Sequence, residues 1–388
     1  MDFINEFKVF VTLFPNANKY TLTKDVGQIP TVMARYYGYK GCLVTYSNDN
    51  YEKERKKYTP ELNIKFLHKS GNTTENIDQI CFIIRNAKKI DVLNMYHMSV
   101  EHLLCLCLYK FINPKGVSYL KLDIDFPGLE AHSKLAKWKK KIITFLHKGV
   151  DIVSAESCIA CEKYDDIFGI KPICITDGYV DIDNKNAVED SEEISKEKII
   201  MTAGRLGTKQ KATEILLEAF AKAQNVDDWK LVLAGPVTEE LNNWLLGFFD
   251  KNPNIRDKIL FTGNITDKSE LYALMQRSSV FAMPSRWGSA EIVLPEALSR
   301  GAYLLVSDGI PTYEEYTNHG KFGVNISVDD INEWADAIDN AIIQLSRGYD
   351  YLDASNYGKS NYNWKNITQK LADTIREKND KNKKNIGI

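Results

Sequence analysis

At 388 residues the chain exceeds what one hydrophobic core usually organises, so two domains are expected. A hydrophobic share of 44% and a charged share of 26% describe a globular protein, and a formal net charge of −2 gives no electrostatic reason for a nucleic-acid partner. Seven cysteines, an odd number, suit a reducing compartment; with no signal-like start and no run near the roughly 18 apolar residues of a membrane span, a cytoplasmic address is expected.

In the first half, short apolar runs at 7–13, 42–46, 91–95, 117–122, 152–155 and 172–175 read as strands. Segments of helical period lie between them, notably 26–37, 99–112 and 133–148. Such alternation predicts parallel sheets joined by right-handed crossovers. The acidic run 181–196 breaks the pattern and reads as a linker. A second series follows, with strands at 199–203, 231–234, 259–262, 280–283 and 303–307 and helices at 213–223, 241–249, 269–277 and 294–299. A last helix at 364–378 comes after the aromatic stretch 349–362. The expected fold class is therefore α/β, with two Rossmann-like, doubly wound domains at 1–185 and 186–360. The helix 364–378 is expected to pack back onto the first domain, and a ligand cleft is expected between the two, at the carboxyl ends of the strands.

Three stretches of the second half end strands with small or charged residues. In the first, a strand runs into Gly204-Arg205-Leu206-Gly207-Thr208-Lys209-Gln210-Lys211 just before a helix. A leaving diphosphate needs positive charge and backbone N–H groups, which a helix start partly supplies. Arg205 offers a planar fork and Lys211 a point charge, although a solvated basic loop would read the same way. In the second, a buried strand stops at Gly263, and Thr266 or Asp267 can cap the next helix. In the third, MPSRWGSAEIVLPEAL at 283–298, Glu296 follows Pro295 at a helix start. A carboxylate there can accept hydrogen bonds from two vicinal hydroxyls, such as those of ribose; capping its own helix is the competing role.

Together, AGRLGTKQKATEILLEAF, LVLAGP, ILFTGNITDKSELYALMQRSSVFAMPSRW and EIVLPEALSRGAYLLVSD, over about 199–330, resemble the nucleotide-binding half of glycosyltransferase family 4, of GT-B fold. The first half resembles that family in layout only, with an acceptor-side loop at Thr23-Lys24-Asp25-Val26-Gly27 and a turn at Ile175-Thr176-Asp177-Gly178. The resemblance implies a retaining transferase that moves a sugar from a nucleoside diphosphate sugar, UDP being the first choice, to an acceptor hydroxyl. A saccharide, a lipid-linked or a protein acceptor would suit it, in bacterial-type polysaccharide, glycolipid or glycoprotein synthesis. The implied donor contacts are Gly204, Arg205, Lys211, Gly263, Asn264, Ile265, Gly288, Ser289, Glu291, Val293 and Glu296. Arg205, Lys211, Asp123 and Glu291 would stand nearest the chemistry, with Lys24, Gly27, His97 and Asp125 on the acceptor side. Glu296 matches the second glutamate of the family's E-x7-E motif; the first would fall at Gly288, and Glu291 is the candidate to replace it. Where the family often has a histidine in a T-x-H-D segment, this chain reads Lys121-Leu122-Asp123-Ile124-Asp125, with Asp123 in the histidine's place.

Asp123-Ile124-Asp125 also spells a metal-binding D-x-D, yet Arg205 and Lys211 already supply the charge a metal would, so neither metal nor cofactor is expected. Cys158 and Cys161 lack a second pair at zinc spacing and read as structural. His97 reads either as a cleft residue or as an ordinary structural histidine. Residues 134–148 carry six lysines and no acid, with Leu135, Trp138, Ile142, Phe145 and Leu146 interleaved. Peripheral membrane contact is one reading of that segment; the favoured one is a surface helix whose apolar side packs on the sheet. The rival functional reading is a non-catalytic glycosyltransferase-like partner protein, with a nucleotide-sugar 2-epimerase third. The presence of Arg205, Lys211 and Glu296 favours the enzyme, since a partner protein has no need of a diphosphate clamp.

Overall fold

The computed structural model describes residues 8–69, 74–182 and 195–385. The chain divides into two compact units, Met1–Val180 with Trp364–Ile388, and Asp181–Asn363. Residue 7 and most of the acidic run 181–196 lie outside the described residues.

The first unit runs β1 (Lys8–Leu13), α1 (Asp25–Tyr36), β2 (Tyr39–Thr45), α2 (Glu52–Tyr58), β3 (Asn63–Phe66), α3 (Glu75–Asn86), β4 (Val92–Tyr96) and α4 (Val100–Ile112). It continues through β5 (Val117–Lys121), α5 (Phe126–Ser133), α6 (Lys137–Leu146), β6 (Ile152–Ala155), α7 (Cys158–Phe168) and β7 (Ile173–Cys174). The strands pair in parallel in the order β3-β2-β1-β4-β5-β6-β7, so the strand order reverses between β1 and β4. β4 and β5 are buried at every residue, as strands covered on both faces must be. Right-handed crossovers place α1 and α2 on one face and α3, α4, α6 and α7 on the other. Ser99, Asp125 and Ser157 start α4, α5 and α7 by accepting hydrogen bonds from first-turn N–H groups.

The helix expected at 133–148 is α6 and starts later, at Lys137, because residue 133 ends α5. Asp125 and Pro127 start α5 early, and Ala136, extended at ψ 144°, separates it from α6. The sequence pattern also passed over α2 and β3. α2 reads EKERKKY, polar almost throughout, and β3 is a short edge strand without a buried residue.

The second unit runs β8 (Glu197–Ala203), α8 (Thr213–Lys222), β9 (Lys230–Ala234), α9 (Glu239–Lys251), β10 (Ile259–Gly263), α10 (Lys268–Arg277) and β11 (Ser278–Met283). After it come α11 (Val293–Leu298), β12 (Tyr303–Ser307), α12 (Tyr313–Thr317), β13 (Gly323–Ile326), α13 (Ile331–Ser346) and α14 (Tyr351–Tyr362). The parallel order β10-β9-β8-β11-β12-β13 reverses between β8 and β11. Its core joins Leu216, Phe220, Leu231, Val280, Leu305 and Trp334. β10 is an edge strand with most of its residues exposed or half-exposed, not the buried strand expected at 259–262. The aromatic stretch 349–362 largely forms α14, capped by Asp350. The last helix, α15 (Trp364–Asn385), belongs to the first unit and packs on α1 and β5. Among the described residues, no helix is long and apolar enough to cross a membrane.

Candidate functional site

In an open doubly wound sheet the ligand crevice lies outside the carboxyl ends of the strands, where the strand order reverses. In the second unit that place is the end of β8 and β11, and the loops 204–211 and 284–291 leave from there. The two loops are stitched together. The Arg205 guanidinium donates to Gln210 Oε1 at 2.7 Å, and Gln210 Nε2 donates to the carbonyl of Trp287 at 3.0 Å. The Arg286 N–H donates to the Gln210 carbonyl at 2.7 Å, while its guanidinium pairs with Glu214 and Asp329 at 2.9 Å each. The ends of β8 and β9 meet so closely that a Cβ on Gly235 would lie 1.8 Å from the Gly204 carbonyl oxygen. The Gly235 N–H reaches on to the Gly263 carbonyl at 2.9 Å, tying the end of β10 into the same corner.

Lys211 is held at 2.6 Å by both carboxylate oxygens of Glu291, and each of the two side chains is only 13% exposed. Glu291 reaches it from a left-handed backbone at φ +51°, a conformation costing a non-glycine residue roughly 1–2 kcal/mol. That twist swings the side chain back over its own loop. Glu291 Oε1 lies 2.4 Å from where a Cβ on Gly288 would sit, so the carboxylate fills the room a side chain at 288 would take.

Glu296 lies apart from this pair. It is fully buried on α11, and its Oε1 accepts hydrogen bonds from Lys268 Nζ and, at 3.1 Å, from the Tyr272 hydroxyl. Its other oxygen has no hydrogen-bond partner among the described residues, an omission that costs about 1–3 kcal/mol when no ligand answers it. No side chain caps α11, so Glu296 does not cap its own helix. Arg300 lies over the Tyr272 ring at 3.5 Å and walls this group from behind. Asn264 and Ile265 stand on the turn between β10 and α10, where Asp267, not Thr266, is the cap. Ser289 lies half-buried in the loop before α11, and Val293 is the first residue of that helix.

In the first unit, His97 and Asp123 follow β4 and β5, both in left-handed backbone at φ +60° and +43°. His97 Nε2 lies 3.2 Å from Asp123 Oδ2. Burial pushes the imidazole below its ordinary pKa, and the Asp123 charge works against that shift. Beneath this pair, Lys121 is fully buried and forms ion pairs with Glu156 at 2.8 Å, Asp177 at 3.3 Å and Asp25 at 3.6 Å. Glu156 also accepts the N–H groups of Asp123 and Ile124 at 3.0 and 3.1 Å, fixing the strained turn from below. Burial raises Glu156 to about 7 and pushes Asp25 and Asp177 up as well, since one lysine faces three carboxylates. Burial pulls Lys121 down, but its three partners outweigh that pull and hold it above the ordinary lysine value.

Asp125 is engaged elsewhere, accepting the Gly128 N–H at 2.9 Å as the cap of α5. Lys24 is exposed at the start of α1, whereas Gly27 is buried inside that helix, where a Cβ would meet the Leu22 backbone at 2.5 Å. The structure thus joins Arg205, Lys211, Gly288 and Glu291 through one pair of loops, and His97 with Asp123 at another strand end. Sequence reasoning passed over Lys268, Tyr272, Arg300 and Glu156, and it placed Asp25, Lys121 and Asp177 in separate segments without joining them into one cluster. The available signal for that cluster was charge at the ends of apolar strands, Lys121 closing VSYLK above all.

Residues 183–355 match the family model described as glycosyl transferases group 1. An uncharacterized glycosyltransferase of Haemophilus influenzae is 24% identical over 59% of this chain and 60% of its own length. A GDP-mannose:cellobiosyl-diphosphopolyprenol alpha-mannosyltransferase of Xanthomonas oryzae is 26% identical over 44% of each chain. The chain therefore spans about half the length of these two relatives. Anabaena HepE, crystallised with UDP and glucose, superposes with a TM-score of 0.70 at 14% identity, over 95% of this chain and 100% of that one. The chain accordingly has the GT-B fold, and the group 1 match over its second unit supports a glycosyltransferase.

Proposed function

We propose that the chain is a retaining, family 4-like glycosyltransferase using a nucleoside diphosphate sugar. The observation that carries this reading is the lysine–glutamate pair Lys211–Glu291, set with Arg205 where the strand order of the second sheet reverses. Lys211 is fixed in place yet keeps 13% of its side chain open, and Arg205 is tethered only through a neutral glutamine. Arg205 can turn to a diphosphate by giving up one hydrogen bond to a neutral side chain, and Lys211 meets it from the position Glu291 fixes. Glu291 serves as the replacement for the glutamate absent at 288, and the unanswered oxygen of Glu296 takes a ribose hydroxyl.

In the proposed reaction the bond between the anomeric carbon and the leaving phosphate oxygen breaks as an acceptor oxygen bonds to the same face of that carbon. The acceptor hydroxyl's proton passes to the leaving phosphate. Arg205 and Lys211 stabilise the negative charge that grows there, which lowers the barrier because that charge is greater in the transition state than in the bound donor. No metal is needed for that charge, and activity is expected to persist in EDTA. His97, oriented by Asp123, is the first unit's candidate contact to the acceptor. UDP is the preferred nucleotide, in keeping with the one bound by HepE, while the mannosyltransferase relative makes GDP the first alternative. A saccharide or lipid-linked acceptor in bacterial-type polysaccharide synthesis fits the relatives.

A screen of nucleoside diphosphates by thermal shift identifies the base, since a ligand of the native state raises the melting point by mass action. Arg205→Ala and Lys211→Ala are each expected to lower turnover about 10²–10³-fold with little change in melting point. Wild-type turnover in both variants would refute the clamp.

A further inference from the structure

α3, α4 and α6 lie side by side on one face of the first sheet, each packed against the next. Their inner sides are buried through residues such as Ile83, Leu106 and Ile143. Their outer sides are not polar. Ile77 and Ile84 on α3, Leu104 and Phe111 on α4, and Trp138 and Phe145 on α6 are all exposed. Each pair is spaced seven residues apart, two helical turns, so each helix shows an apolar stripe to solvent. Phe111 is 84% exposed, Phe145 66% and Trp138 61%. The packing that the favoured sequence reading gave the apolar side of 134–148 thus holds only in part: Leu135, Ile143 and Leu146 pack on the core, while Trp138, Ile142 and Phe145 face outward.

The charge beside the α6 stripe has one sign, whereas exposed Glu75 and Glu101 stand at the starts of α3 and α4. Lys137, Lys139, Lys141 and Lys148 are exposed, no acid occurs in 134–148, and Arg85, Lys88 and Lys89 are exposed at the end of α3. Scattered apolar residues on a surface need no explanation, but stripes on three neighbouring helices mark a docking surface. A second copy of the chain would bring lysines against lysines. A bilayer bearing anionic headgroups answers both features, taking aromatic side chains at its interface and lysines on its phosphates, each worth about 1 kcal/mol. We propose that this face of the first unit docks on an anionic lipid bilayer and lies along it without crossing. The surface is formed by the flank of the sheet, so the carboxyl ends of β4 and β5, with His97 and Asp123, stay uncovered. The proposal is independent of the reaction assigned above.

The test is flotation of the full chain with phosphatidylcholine vesicles, alone or with about one part in three of phosphatidylglycerol. The wild type is expected to float with the anionic vesicles at least about tenfold better than with the neutral ones, and less as salt rises. Trp138→Ser with Phe145→Ser should weaken this at least about tenfold. Lys137→Gln with Lys139→Gln and Lys141→Gln should abolish the preference for anionic lipid. All the altered side chains are exposed, and unchanged melting points with unchanged nucleotide binding certify the fold. Equal flotation with neutral vesicles, or flotation untouched by both variants, overturns the proposal. So does a dimer in sedimentation that Trp138→Ser dissolves, which would give this face to a second copy.

Discussion

Both units set a lysine at the carboxyl end of a parallel sheet and answer it with carboxylates, but in opposite proportions. Lys121 has no exposed surface and three carboxylate partners; Lys211 keeps 13% of its side chain open and has one. The first arrangement is closed and over-supplied with negative charge, so it props up the His97–Asp123 turn and has no use for another anion. The second is evenly matched and slightly open, so a diphosphate arriving there would find a cation already in position. On the proposed reading one sheet-end motif does scaffold work in one unit and ligand work in the other, and the carboxylate count tells the two apart.

The largest test of this contrast is Lys121→Met. Removing the cation leaves three buried carboxylates unanswered, and a loss of about 3–5 kcal/mol is expected in urea unfolding of the intact chain. A loss below about 1 kcal/mol would mean that the cluster is not held by its ion pairs. Glu291→Gln comes next. It preserves the shape of the side chain but removes the charge that positions Lys211, so kcat/KM for the donor should fall roughly 10–100-fold while the melting point moves little. An unaltered kcat/KM would put Lys211 and Glu291 in the scaffold class with Lys121.

The smallest effect is on pH. With Glu156 raised to about 7, the unfolded chain gives up this proton near the ordinary value of 4.5 while the native state still holds it. Between those pH values the native state binds more protons, so the contribution is complete below about 4.5 and fades as pH climbs to about 7. Glu156→Gln should flatten that decline. A decline of the same size in the variant would assign it to Asp25 and Asp177.

Strands buried on both sides were readable as residue types. Ile152–Ala155 and Tyr303–Ser307 have the same bounds in the sequence pattern and in the structure, because uninterrupted apolar runs have few alternatives. What escaped depends on contacts the local pattern does not contain. The direction of Glu291 follows from one left-handed residue. The partners of Lys121 come from the start of α1 and the ends of β6 and β7, far apart along the chain. On α6 the period revealed apolar residues, but which of them are covered depends on neighbours: Ile143 and Leu146 are, while Trp138, Ile142 and Phe145 are bare.

The chain leaves its first unit after Val180 and returns to it only at Trp364. A ribosome adding about 5–20 residues per second therefore finishes the second unit while the first still lacks α15, the helix that covers α1. For that interval α1 and β5 wait without the helix that packs on them, and a chaperone meeting the nascent chain would find its apolar foothold there.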